Sequence, residues 1–146
     1  MTSDGPGDLV EINDKMNSRE YVDILENGFI PSYRIIYPEG PVNFVQDNSA
    51  VHRAHIVRNY FAQNSYNVIA WPAKSPDLNL IGNLWRIMVN KWETGEQLPN
   101  SRNNLNRHCR GIWESLRGTD VCRNLVGSMQ RRLQARIDAE GGYIKY

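Results

Sequence analysis

The sequence lacks several features that would point to particular classes of protein. It has no apolar run long enough to cross a membrane and no signal-type apolar segment after Met1, so we expect a soluble intracellular protein with no membrane partner. It has only two cysteines, Cys109 and Cys122, and neither has partners at the spacing of a zinc site. We therefore interpret both as ordinary core or surface thiols.

The net charge is also small, at +1, but the charges are unevenly distributed along the chain. Residues 1–51 contain three basic and nine acidic side chains, whereas residues 86–146 contain eleven basic and six acidic ones. The C-terminal half is therefore the better candidate for a nucleic-acid surface. The alternative is a solvated helix surface, because arginines such as Arg131, Arg132 and Arg136 are common on exposed helix faces.

Two apolar runs predict buried strands. Val42, Phe44 and Val45 form the first, which ends at Asp47, and residues 68–71 form the second. Open α/β sheets carry their ligand chemistry at the carboxyl ends of strands, so Asp47 is a candidate site residue. An oxygen site for Mg²⁺ or Mn²⁺ would also need carboxylates that converge from other elements.

Other patterns predict one more strand and several helices around these runs. Residues 9–12 predict a half-buried strand before a turn at residues 13–14, and Ser18 is a candidate cap for the helix that follows. Residues 52–63 predict a second helix. Asp77 is a candidate N-cap for a third helix. The apolar face of that helix consists of Leu78, Ile81, Leu84, Trp85, Met88, Val89 and Trp92.

Two motifs in this region resemble those of a known family. Gln46-Asp47-Asn48 and residues 71–85 look like the catalytic core of Tc1/mariner transposases, which belong to the DDE group and have an RNase H-like fold. The ending, residues 141–146, is also similar to the close of Tc1-like transposases. The resemblance therefore covers essentially the whole chain. Within residues 71–85 it is carried by Trp71, Pro72, Ala73, Lys74, Ser75, Pro76, Asp77, Leu78, Asn79, Ile81, Asn83, Leu84 and Trp85.

The resemblance assigns the second catalytic acid to Asp47 and expects the third, a glutamate, after thirty-four intervening residues, where this chain has Gly82. Leu80 likewise replaces the proline usual in the family. No residue upstream of Asp47 fits the first catalytic aspartate. We therefore expect weak or no Mg²⁺ or Mn²⁺ binding at Asp47 and no transposase or nuclease activity. The resemblance suggests that His52 packs or hydrogen-bonds near Asp47 and that His55 is solvated. The spacing of His52 and His55 is only a weak metal motif.

The fold that the resemblance implies is α/β, a truncated RNase H-like fold with its first strands missing. Residues 1–93 would form a partial catalytic core, and residues 94–146, which begin with a linker at 94–97, a C-terminal helical extension of the same domain. The strand near Val42 would then have an unpaired edge, which pairing with the 9–12 strand, self-association or a partner chain would cover.

The leading hypothesis is an inactive fragment of a Tc1-like DNA transposase that keeps weak, sequence-independent DNA binding. Its candidate nucleic-acid contacts are His52, Arg53, Lys74 and the arginines of the last predicted helix, which include Arg131, Arg132 and Arg136. The family implies a nuclear location. Self-association or pairing with a full-length transposase is a further expectation, since either could cover the unpaired strand edge. The first alternative is a domesticated module that binds protein or DNA without catalysis. The second is a working nuclease with substitute metal ligands such as Glu39 or Asp77.

Overall fold

The computed structural model describes residues 1–12, 15–93 and 99–145. The chain forms two compact units. The sheet unit is Val10–Lys74, and the helical unit combines Met1–Leu9 with Ser75–Tyr146. The turn predicted at residues 13–14 and the linker predicted at residues 94–97 lie outside the described residues, and the domain boundary at residue 93 stays a prediction. In the part described, no helix is both long and apolar enough to cross a membrane.

The sheet unit opens with a nearly continuous helical stretch: α1 is Ser18–Ile24, a π-helical turn covers Leu25–Phe29, and α2 is Ile30–Ile36. The π turn moves the hydrogen bond of the Ile30 amide to the carbonyl of Leu25, five residues back. This accommodates Pro31, which has no N–H to donate and would crowd a regular α-helix.

The cap of α1 is Asn17, so the prediction of Ser18 was wrong by one residue. Asn17 Oδ1 accepts hydrogen bonds from the amides of Arg19 and Glu20, at 2.9 and 3.1 Å. The Glu20 carboxylate accepts in return from the Asn17 amide at 2.9 Å. This reciprocal capping box uses Glu20 at the third helical position, which requires the cap to be Asn17.

The two predicted strands near Val42 and Val68 form one parallel pair. Strand β1 is Asn43–Phe44 and β2 is Asn67–Val68, with Asn43 opposite Asn67 and Phe44 opposite Val68. Helix α3, His55–Gln63, connects them. The pairing confirms both strands, although each is shorter than the apolar run that predicted it. The Ile69 amide, just beyond β2, still donates to the Phe44 carbonyl at 2.9 Å.

The strand predicted at residues 9–12 was wrong, since those residues are extended but pair with no other strand in the described structure. Leu9 packs instead on the core of the helical unit, and its carbonyl accepts a hydrogen bond from Arg110 at 3.3 Å. Val10 and Ile12 remain 42% and 48% exposed. Alternating apolar residues were therefore not sufficient to form a strand, because a strand also needs a partner and the context that supplies one.

A separate hydrophobic core holds each unit together. In the sheet unit, α1 and the π turn pack on α3 through Tyr21, Leu25, Val57 and Phe61. The described residues of the helical unit form a 3₁₀ turn at Pro76–Leu78 and four helices. These are α4 at Leu80–Glu93, α5 at Arg102–Glu114, α6 at Val121–Gly127 and α7 at Met129–Asp138. Its core is Leu84, Met88, Trp113, Leu116 and Cys122.

Candidate functional site

Asp47 lies three residues after the end of β1, and its side chain is 63% exposed. One carboxylate oxygen, Oδ1, accepts a hydrogen bond from the Ser49 amide at 3.0 Å and lies 2.7 Å from His52 Nδ1. The structure therefore places His52 beside Asp47, as the sequence analysis expected. His55 is different, since its ring bonds to Asn59 one turn further along α3.

The surroundings of Asp47 favour its charged form. The hydrogen bond from the Ser49 amide is the largest cause that lowers the pKa of the carboxyl group, and attraction to His52 adds to it. Partial burial acts in the opposite direction but is outweighed. Asp47 is therefore a carboxylate across the physiological pH range and presents a negative charge at the surface of the sheet unit.

The sequence analysis did not predict the hydrogen bonds that hold the residue before Asp47 in place. Gln46 Oε1 accepts a hydrogen bond from the Tyr21 hydroxyl at 2.8 Å, while its amide nitrogen donates to the His52 carbonyl at 3.4 Å. The rings of Tyr21 and His52 lie 4.3 Å apart. Burial, and then the charge of Asp47, raises the pKa of Tyr21 well above its usual value, so the phenol remains a hydrogen-bond donor.

The residue after Asp47 fixes the other side of the loop. Asn48 donates a hydrogen bond from Nδ2 to the carbonyl of Trp71 at 2.9 Å, and so ties the end of β1 to the segment after β2. The two neighbours of Asp47 thus contact α1 and the segment after β2. No local pattern in the sequence signals these pairings, because the partners are 25 and 23 residues away.

The two basic residues of the sheet unit that are predicted to contact nucleic acid are both exposed. Arg53 lies in the turn two residues before α3, and its amide donates to the Ser49 carbonyl at 3.1 Å. Lys74 has a φ of 53°, a left-handed backbone conformation that is uncommon for a lysine. Their side chains are accessible to a ligand, and their assignment to DNA stays a prediction.

Gly82 is the third residue of α4, and its amide donates to the Asn79 carbonyl at 3.1 Å. A Cβ placed on this residue would meet no atom within 4 Å, and φ is not in the left-handed region. Neither the backbone nor the packing therefore requires glycine here. The position expected to carry the third acid is open for a side chain and has none.

The residues present do not fit a tightly held metal ion. Mg²⁺ and Mn²⁺ need several oxygen ligands, whereas the Asp47 carboxylate already serves Ser49 and His52 through one oxygen. Among the described residues there is no group of three or more His, Cys, Asp or Glu side chains that could hold an ion. Of the suggested substitute ligands, Asp77 is bound to Arg136 and Glu39 is exposed in the loop before β1.

The structure also changes the interpretation of Asp77 and of the last arginines. Asp77 lies inside the 3₁₀ turn and makes no helix cap, so that prediction was wrong; its buried carboxylate pairs with Arg136 at 2.8 Å. Arg132 is 3% exposed and donates to the Asp77 carbonyl at 2.6 Å. Arg132 and Arg136 thus make hydrogen bonds within the helical unit. Of the three arginines, only Arg131 is exposed on α7.

Comparison with solved structures defines the class of fold. The chain superposes on the catalytic domain of the Mos1 mariner transposase with a TM-score of 0.80 and 19% identity, over 94% of this chain and 69% of that one. A mariner Mos1 paired end complex with Mg gives a TM-score of 0.84 at 20% identity, over 98% of this chain and 42% of that one. At such identity the likeness establishes the fold alone, which is a mixed α/β, RNase H-like fold.

Sequence comparison then gives the family. The family described as DDE superfamily endonuclease matches residues 4–105. The Tc3 transposase of Caenorhabditis elegans is 33% identical over 135 residues, which are 92% of this chain and 40% of that protein. The Tcb1 transposase of Caenorhabditis briggsae is 37% identical over 145 residues, which are 99% of this chain and 51% of that protein. The chain belongs to the DDE superfamily endonuclease family as a Tc1/mariner-like domain, and it spans about half or less of these relatives.

Proposed function

We propose that this chain is a transposase-derived DNA-binding domain that does not cut DNA. Gly82 is the observation that carries the proposal, because it stands where the Tc1-like pattern has the third catalytic acid. The space around Gly82 is open, so the backbone could carry a glutamate there. What this position lacks is the carboxylate, and the fold around it is intact. Phosphoryl transfer in DDE enzymes depends on metal ions held by carboxylates, and without that charge stabilisation most of the rate is lost.

DNA is the partner that the likeness to Mos1 supports, since Mos1 has been solved as a paired-end complex with a transposon end. Exposed arginine and lysine side chains bind phosphates and carry no sequence information by themselves. We therefore assign weak, sequence-independent binding to His52, Arg53 and Lys74. A nuclear location follows from the same proposal and is checked by imaging a fluorescent fusion.

Fluorescence anisotropy with two unrelated DNA duplexes tests the binding. We expect similar affinities for both, and a steep loss of affinity between about 50 mM and about 200 mM salt. A double Arg53→Gln, Lys74→Gln variant should weaken binding and reduce the slope of log K against log salt by roughly 2. The matched control is Arg19→Gln, an exposed arginine on α1 that should change neither. Salt-insensitive binding, or equal loss in the control, would contradict the assignment.

A metal titration tests the absence of catalysis. Mos1 has been solved with Mn and with Mg, so these are the ions to use. We expect no saturable Mn²⁺ binding that depends on Asp47, so titrations of the parent and of Asp47→Asn should look alike. We also expect no nicking of plasmid DNA with either ion. Saturable binding that depends on Asp47, together with nicking, would show a working nuclease and end the proposal.

A second candidate function is a protein-binding module without catalysis, and one observation favours it. Helix α4 exposes Trp85 and Val89, at 44% and 47%, and α7 exposes Leu133 and Ile137, at 45% and 68%. Both pairs are four residues apart, so each forms an apolar stripe on its helix. Sedimentation velocity distinguishes this function from DNA binding. Two results would support it: association that depends on concentration, or co-sedimentation with a full-length transposase. In either case the double variant Leu133→Ser, Ile137→Ser should abolish the association.

A further inference from the structure

Helix α7 contacts the turn that precedes α4 at two points on one residue. Arg132 Nη1 donates to the main-chain carbonyl of Asp77 at 2.6 Å, and Arg136 Nη1 donates to Asp77 Oδ2 at 2.8 Å. Ser128 orients the first arginine by accepting from its Nε at 2.8 Å. All these groups belong to the helical unit, and they join parts of the chain 55 and 59 residues apart.

Burial makes these contacts costlier to break than ordinary surface ion pairs. The side chain of Asp77 is 4% exposed and that of Arg136 is 19% exposed. The other carboxylate oxygen of Asp77, Oδ1, is buried and has no hydrogen-bond partner in the described structure. Arg136 is therefore the charged partner of the Asp77 carboxylate, and its removal would leave a buried carboxylate uncompensated, which is costly.

A series of main-chain hydrogen bonds connects this turn to Gly82. The Leu78 amide donates to the Ser75 carbonyl at 3.2 Å, and the Asn79 amide donates to the Pro76 carbonyl at 3.1 Å. The Gly82 amide then donates to the Asn79 carbonyl at 3.1 Å. The 3₁₀ turn and the first turn of α4 are thus one hydrogen-bonded segment, so the contacts that hold Asp77 also restrain the start of the helix.

We propose that Arg132 and Arg136 are positioning residues through which α7 sets where α4 begins and where residue 82 lies. They act through Asp77, in the 3₁₀ turn before α4. This role is mechanical and holds whether or not the domain binds DNA or a metal ion. The pairing of α7 with that turn also accounts for two arginines of a basic helix that face inward.

Amide hydrogen exchange measured by NMR tests this proposal. The variant Arg136→Met keeps an apolar stem of similar length and removes the charge. We expect exchange at Leu78, Asn79 and Gly82 to accelerate by about tenfold or more, with a shift of the Gly82 amide resonance. Arg136→Lys keeps a charge that reaches the carboxylate, so it should restore most of the protection. These measurements use neither DNA nor metal, so their outcome is independent of the binding tests.

The matched control is Arg131→Met, which removes the neighbouring exposed arginine of the same helix. It should leave exchange at the three amides within about twofold. Exchange at the Ser115 amide, which donates to Gly111 at the end of α5, serves as an internal reference. If Arg136→Met accelerates Ser115 as much as Gly82, the arginine stabilises the unit as a whole and the proposal fails. Unchanged exchange at Gly82 overturns it equally.

Discussion

Replacing Gly82 by glutamate should make the protein more stable. Glycine in a helix costs about 0.5–1 kcal/mol relative to a good helix former, because its backbone loses more freedom on folding. The new side chain would enter open space, since an added Cβ meets no atom within 4 Å. A carboxylate in the first turn also interacts favourably with the helix dipole, by about 0.3–1 kcal/mol. The free energy of unfolding should therefore rise by about 1–2 kcal/mol.

Urea denaturation and thermal melting measure this change, and the melting temperature should rise by about 2–6 °C. Gly82→Gln isolates the helix propensity and should give about 0.5–1 kcal/mol of the gain, because it adds a side chain without the charge. Gly111→Ala, at another open helical glycine in α5, reports the same propensity without any charge. If Gly82→Glu lowers stability while Gly111→Ala raises it, a structural role of Gly82 has been missed and the reasoning is refuted.

Two further changes test the sheet unit and the helical unit separately. Tyr21→Phe removes the hydroxyl that donates to Gln46 and should cost about 1 kcal/mol. Because the pKa of Tyr21 is raised in the folded state, the stability that the protonated phenol contributes is present below about pH 10 and is lost at higher pH. Between about pH 9 and pH 11, urea titrations should therefore show a smaller loss of stability for the variant than for the parent. Equal losses would contradict the pKa shift. In the helical unit, Leu84 is fully buried, so Leu84→Ala should cost about 3–5 kcal/mol in urea denaturation, whereas Leu133→Ala, at a residue 45% exposed, should stay within about 1 kcal/mol; similar costs would argue against the core as described.

Local patterns in the sequence were sufficient to locate the main elements of the candidate site. The apolar run near Val42 predicted a strand, and Asp47 lies just beyond it in the structure. The spacing of the family motif placed Gly82 at the expected third acid, and the structure puts it in the first turn of α4. The strand depends on residues close together in the chain, where side-chain periodicity decides the outcome. The assignment of Gly82 depends instead on the resemblance to the family motif.

The partners of those residues were decided only by the tertiary structure. An aspartate after Ser75-Pro76 fits a helix cap by local rules, yet Asp77 pairs with Arg136, 59 residues later. The same fold turns Arg132 from a candidate DNA contact into a buried hydrogen-bond donor. A carboxylate or guanidinium can satisfy its hydrogen bonds in several ways, and which one it uses depends on the element that packs against it. The sequence by itself thus determined which chemical groups the domain has and which it lacks, whereas the folded chain determined what each group binds.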